Sequence, residues 1–260
     1  MAELNANGQR FHVQQLGESG PRVVFLHGLV MDNLSSWYFT VANPAARICR
    51  ALLYDLRGHG KSERPREGYG LDQQVQDFAA ILAGLDIHGP VHLVGNSFGG
   101  LLAQLIALRL PARVASLVLV DPLVPLPGWS DTMNATLGLV GEERNARIAD
   151  SFRHWLGRHS ERKRNRLARA AQELVENTSL LADLRDSASF EAAELARITC
   201  PVLCISGTDS DLRSQSELLA ATLPDCQVQW RPGCTHSVLW EDTDALRDAI
   251  VARLAEWAKP

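Results

Sequence analysis

Three kinds of side chain in this sequence could together cleave an acyl group from its carrier. Ser97 stands in Gly95-Asn96-Ser97-Phe98-Gly99, His236 lies far downstream in "PGCTHSVLWE", and Asp121, Asp209 and Asp211 sit at the ends of apolar runs. A serine hydroxyl is a weak nucleophile at neutral pH. It needs a base to take its proton, an acid to orient that base, and donors for the oxyanion that forms on the attacked carbonyl. Gly-rich turns with a capping serine are common, so the pattern G-x-S-x-G carries weight only through its surroundings.

Those surroundings are a strand and a helix. "VHLVG" reads as a short buried strand, and "GLLAQLIALRL" as a helix stopped by Pro111. A strand that turns directly into a helix forces its middle residue into a strained backbone. The residues two before and two after must then be small, because the two elements nearly touch. Such a turn lifts the Ser97 hydroxyl above the sheet, at a helix N-terminus whose N–H groups favour negative charge. His236 follows the last strand, "CQVQWRP", on a loop carrying Gly233, and a loop histidine at a strand end can swing over the sheet. His27, inside "FLHGL", is read as a brace for its turn, and His154 and His159 as surface residues. Asp209 and Asp211 follow the strand "PVLCISG", and Asp121 ends "VASLVLVD". Whichever of the three do not orient the base would cap a helix or a turn. The oxyanion donors expected are the backbone N–H groups of Phe98 and Leu29, with both side chains also forming apolar walls. Met31, Trp129, Phe152 and Trp155 are the candidates for binding substrate.

Strands "RVVFLHG", "ICRALLYD", "VHLVG", "VASLVLVD", "PVLCISG" and "CQVQWRP" alternate with helical spacing. Their apolar runs imply a mostly parallel sheet covered on both faces. The interval 123–197 differs: a Pro/Gly-rich opening, then basic helical sequence with no strand signal. It is expected to be a helical cap, with 1–122 and 198–260 forming the core. The chain has 260 residues, 46% hydrophobic, and a net charge of -4. That suits one sizeable core and argues against a general nucleic-acid binder. No apolar run approaches the roughly 20 residues that cross a bilayer, and the polar N-terminus lacks a secretion pattern, so a cytoplasmic location is expected. Five cysteines without a signal read as free thiols. Cys200 and Cys204, about 13 Å apart along one strand, cannot share a tetrahedral ion with Cys234 and His236. Neither "GESG" nor "GNSFGG" has the lysine and spacing of a nucleotide loop.

In order, "FLHGL", "YDLRGHGKSERP", "VGNSFGG", "LVLVDP", "PVLCISG" and "PGCTHSVLWE" resemble the α/β-hydrolase fold superfamily, in its cap-bearing branch. The resemblance covers the chain outside 123–197. It implies an eight-stranded, mostly parallel α/β sheet with helices on both faces, a cap after the sixth strand, the order Ser, Asp, His, and no cofactor or metal. "DLRGHGKS" becomes a landmark that shapes the loop near the site. The family's usual acid position falls on Ser210; a Gly-x-x-Ser-Asp variant fits Gly207 to Asp211 and favours Asp211 over Asp209, and both over Asp121. A serine at the elbow, where dehalogenases and epoxide-opening relatives carry aspartate, implies acyl transfer to water. A carboxylic ester or thioester of a small to medium acyl group is the expected substrate. The "GNSFGG" elbow is also similar to hydrolases that break C–C bonds in ring-fission products. The basic run Arg153 to Arg169 could receive an acyl carrier protein or coenzyme A, and some members of the fold are ligand receptors.

Overall fold

A computed structural model describes residues 2–137, 139 and 161–257. Eight strands form one sheet: β1 Ala2–Ala6, β2 Gln9–Leu16, β3 Arg22–Leu26, β4 Arg50–Tyr54, β5 Val91–Asn96, β6 Val114–Val120, β7 Val202–Gly207 and β8 Cys226–Arg231, in the spatial order β1-β2-β4-β3-β5-β6-β7-β8. The pairs β1–β2 and β2–β4 are antiparallel and all the others are parallel. The eight-stranded α/β sheet expected from the resemblance is therefore present.

Alternation along the strands divides the interior in two. Val24 and Leu26 of β3 join Leu93 of β5 and Leu117 and Leu119 of β6 in one core. Val23 and Phe25 join Val94, Val118 and Val120 in the other. Successive strand side chains point to opposite faces, so strands apolar throughout must be covered twice. Helices α1 (Leu71–Gly84) and α2 (Phe98–Arg109) pack on the first face. The helical segment around Trp37 and Val41 packs on the second, together with the C-terminal helix Thr243–Trp257 through Leu246, Ile250 and Leu254.

Between β6 and β7 the described residues are helical, without a strand: α3 Trp129–Leu137, α4 Glu161–Asn177, α5 Leu180–Arg185 and the turn Ala192–Leu195. This insert is tied to the core by polar contacts. The Asp183 carboxylate accepts the Tyr69 amide at 2.7 Å and the Gly68 amide at 3.1 Å, and the Ser187 hydroxyl accepts the Leu71 amide at 3.0 Å. Phe152 and Trp155, two of the expected pocket residues, lie outside the described residues, as do His154 and His159. Among the described residues no helix is long and apolar enough to cross a membrane.

Candidate active site

The elbow takes its shape from crowding. Ser97 has φ 52° and ψ -118°, a conformation that L-residues rarely hold. A Cβ on Gly95 would lie 2.3 Å from the Gly99 carbonyl oxygen, and one on Gly99 would lie 2.2 Å from the Leu26 carbonyl oxygen. The neighbouring strand clamps the turn: the Ser97 amide donates to the Val120 carbonyl at 3.0 Å and the Leu123 amide to the Ser97 carbonyl at 3.3 Å. Because the contact at Gly99 is backbone against backbone, no rotamer change relieves it. Gly99→Ala should therefore cost about 3 kcal/mol or more, read as a lowered urea midpoint. A variant as stable as the parent would mean that β3 yields freely beneath the elbow.

His236 reaches the serine from the loop after β8. Its Nε2 lies 3.0 Å from Ser97 Oγ, and its Nδ1 lies 2.6 Å from Asp121 Oδ2. With Nδ1–H donating to the carboxylate, Nε2 is left free to accept the serine proton. The favoured acid, Asp211, does not make this contact, and neither does Asp209. Asp211 lies on the cavity wall, exposed, while Asp209 accepts the Thr208 hydroxyl at 2.9 Å. The acid in contact is Asp121, ranked last from the sequence. The reason is topological. β6 is the hydrogen-bonded neighbour of β5, with Asn96 opposite Val120, so the next residues, Ser97 and Asp121, emerge side by side. Asp121 is 1% exposed and its charge is well met. Oδ1 accepts the Gly207 amide at 3.3 Å, and Oδ2 accepts the Ser210 hydroxyl at 2.5 Å. Burial pulls the His236 pKa down. The hydrogen bond and charge of Asp121, reinforced by the charges of Asp211 and Glu241, outweigh it and hold the imidazole above the ordinary histidine value.

The loop after β3 carries the expected oxyanion donor, Leu29, and is itself strained. Val30 has φ 66°, unusual for a β-branched residue, and the Met31 amide closes back onto the Leu29 carbonyl at 2.9 Å. Such a tight three-residue turn persists only where its surroundings hold it. His59, from "RGHG", supplies the hold: its Nε2 accepts the Val30 amide at 2.8 Å and its Nδ1–H donates to the Arg57 carbonyl at 2.8 Å. Burial, with the neighbouring His27, pushes the His59 pKa down to about 3, so the ring stays neutral and keeps an acceptor for Val30. His27 is a brace, as expected, bonded to the Gly28 carbonyl at 2.6 Å and accepting the Leu56 amide at 2.9 Å. Asp55 of the same landmark accepts the Leu34 and Lys61 amides, each at 2.8 Å. Asp32, which no motif singled out, accepts the Gly28 amide at 2.8 Å and takes the Ser36 hydroxyl as well. Two side chains from outside the loop, His59 and Asp55, and two within it, His27 and Asp32, thus set its course past Ser97.

Above the serine lies a cavity of about 560 Å³. Leu29, Met31 and Trp129 line it, with Leu126 and Leu137 from the insert and Leu239 from the helical turn after His236. Phe98 does not. Its side chain is fully buried, 6.4 Å from Trp129 between ring centroids, so it braces the wall from behind. Only its amide, at the first position of α2, is available to the site. The charged groups on the lining are Asp32, Asp211 and His236; no lysine or arginine joins them among the described residues.

A doubly covered sheet, a strained serine elbow and a His–Asp pair brought to it from two other strand ends define an α/β hydrolase. Residues 23–249 match the model of the alpha/beta hydrolase family, and the chain belongs to that family. It is 36% identical over 135 residues to a non-heme chloroperoxidase of Streptomyces lividans, covering 50% of this chain and 49% of that protein. It is 42% identical over 118 residues to the lipase LipV of Mycobacterium tuberculosis, covering 45% and 43%. The matched stretches thus span about half the length of these relatives or less. Among solved structures, a meta-cleavage product hydrolase from Pseudomonas fluorescens superposes with a TM-score of 0.83 at 24% identity, over 98% of both chains. At that identity the likeness is one of fold.

Proposed function

We propose that this protein is a serine hydrolase that cleaves carboxylic esters of small to medium, uncharged acyl groups through an acyl-enzyme. The observation that carries the reading is Ser97 Oγ at 3.0 Å from His236 Nε2, beneath an apolar cavity of about 560 Å³. Ser97 attacks the ester carbonyl and His236 takes its proton. The Leu29 and Phe98 amides hold the oxyanion, and Asp121 holds the imidazolium. His236 then protonates the leaving alcohol and activates the water that releases the acid. The relative named as a lipase supports an ester, although it aligns with less than half of this chain.

The charge on the cavity wall separates this reading from C–C bond hydrolysis. A ring-fission dienoate carries a carboxylate, which would meet Asp32 and Asp211 with no lysine or arginine opposite among the described lining. Like charges a few ångströms apart cost on the order of 1–4 kcal/mol. A thioester remains a second reading. It rests on the exposed Arg162 and Arg166 in the first turns of α4, which could meet the phosphates of coenzyme A or an acidic carrier protein. The ester reading is tested with p-nitrophenyl esters of two to eight carbons beside the hemisuccinate ester of the same phenol. The neutral esters should exceed the anionic one at least tenfold in kcat/KM. Equal or better turnover of the hemisuccinate, or of a ring-fission dienoate, would remove it, and binding without turnover of any acyl compound would favour a receptor.

A further inference from the structure

Ser210 occupies the place where the resemblance puts the acid, yet its hydroxyl is not idle. It is 8% exposed, donates to Asp121 Oδ2 at 2.5 Å and accepts the Leu212 amide at 3.0 Å. Asp121 Oδ2 is the same oxygen that holds His236 Nδ1 at 2.6 Å. Ser210 is therefore linked to the imidazole through one shared carboxylate oxygen. The two strand ends converge on one point, and Asp121 and Ser210 share it.

We propose that Ser210 is a positioning residue for the acid, and that position 210 is competent to hold the acid itself. The proposal rests on the hydrolase reading above. Two physical arguments carry it. First, the carboxylate of Asp121 could rotate about its own axis and still accept Gly207. The Ser210 hydroxyl, with the Gly207 amide on the other oxygen, locks the plane in which Oδ2 faces His236. Second, an aspartate at 210 would place its carboxyl carbon near the present hydroxyl oxygen and carry an oxygen one bond further, toward Nδ1. Its other oxygen would keep the Leu212 amide, since aspartate and serine form the same local turn. The loop is otherwise tied down without the Ser210 side chain: the Asp209 amide donates to the Cys234 carbonyl at 2.9 Å and the Gly233 amide to the Thr208 hydroxyl at 2.8 Å. The charged groups acting on His236 are Asp121, Asp211 and Glu241, so an acid at 210 with asparagine at 121 leaves their number unchanged.

The experiment compares D121N, D121N/S210D and the uncharged control D121N/S210N on one p-nitrophenyl ester, with S210A and S210T in the parent chain. D121N/S210D should recover at least tenfold in kcat over D121N, and D121N/S210N should recover nothing. S210A should lose about fivefold in kcat. Its acid limb should move to higher pH, because Asp121 then keeps more of its charge for the imidazole. S210T, which retains the hydroxyl, should stay within twofold of the parent. A folded D121N/S210D no better than the control overturns the second acid position. S210A with parental kcat and an unmoved or lowered acid limb overturns the positioning role. If the double variant fails to fold, the substitution does not fit the loop and the second acid position falls, while the single variants still decide positioning. Failure of the hydrolase reading shows separately, as no ester turnover by the parent chain or as full activity in Ser97→Ala.

Discussion

Ser97→Ala should abolish ester hydrolysis, lowering kcat by about 10⁴-fold or more, while leaving the fold intact. Structure makes this a clean substitution. The hydroxyl bonds to His236, whereas the turn is held by the backbone bonds of Ser97 to Val120 and Leu123. Alanine has the same Cβ, so the strain at φ 52° is neither relieved nor increased. The change in stability should stay within about 1 kcal/mol. His236 keeps its bond to Asp121, so the imidazole remains oriented with nothing to activate. Hydrolysis of p-nitrophenyl butyrate measures the loss, and labelling of the parent by a fluorophosphonate, absent from the variant by intact mass, identifies the nucleophile. Full activity in the alanine variant would end the serine-hydrolase reading.

The elements that carry this chemistry were largely legible because each leaves a periodic trace. Six strands read as continuous apolar runs, since each has to be buried on two faces, and the two glycines flanking Ser97 mark a collision that only a strand-to-helix turn produces. The N-terminal hairpin went unread, although Asn7-Gly8 is a strong two-residue turn signal: both residues have positive φ, 48° and 71°, and Ala6 pairs with Gln9. β1 is largely exposed, and β2, although eight residues long, is apolar only at Phe11, Val13 and Leu16, so the pattern is faint. Which aspartate lies against His236 is hidden for a different reason. Three aspartates at strand ends look alike in one dimension, and which of them meets His236 depends on which strand lies beside β5. Family habit pointed beyond β7, where Ser210 and Asp211 stand; register points beyond β6. The inward turn of the Phe98 side chain leaves no trace in sequence, which does not show that the elbow lifts the backbone and sends this ring down into the core. Asp32 and His59 hold the loop after β3 through contacts 4 and 29 residues away in sequence, which no motif records.

Asp121→Asn should be the most damaging of the aspartate substitutions, lowering kcat about 10³- to 10⁴-fold, and the hydrogen bonds around it explain why. Oδ1 accepts the Gly207 amide, which can only donate. An asparagine must therefore turn its carbonyl oxygen to Gly207, which leaves its NH₂ where Oδ2 now faces His236 Nδ1. The Ser210 hydroxyl can rotate to suit either group, so it does not oppose this choice. A donor against Nδ1 drives the ring proton to Nε2, and a protonated Nε2 cannot accept from Ser97. The loss is one of tautomer and charge, with the packing preserved. Asp211→Asn acts differently, because Asp211 touches His236 only through its field. Removing that charge lets the His236 pKa fall. The base works as neutral imidazole, so the acid limb of kcat/KM should move to lower pH, with the plateau within about threefold of the parent. The parent limb should lie above the ordinary histidine pKa of about 6.5, in line with the raised value. Profiles from pH 5 to 9 for the parent and both variants distinguish the roles. Equal small losses in the two variants would mean that His236 is oriented by a group other than Asp121. A collapse in Asp211→Asn alone would return the acid to the loop after β7.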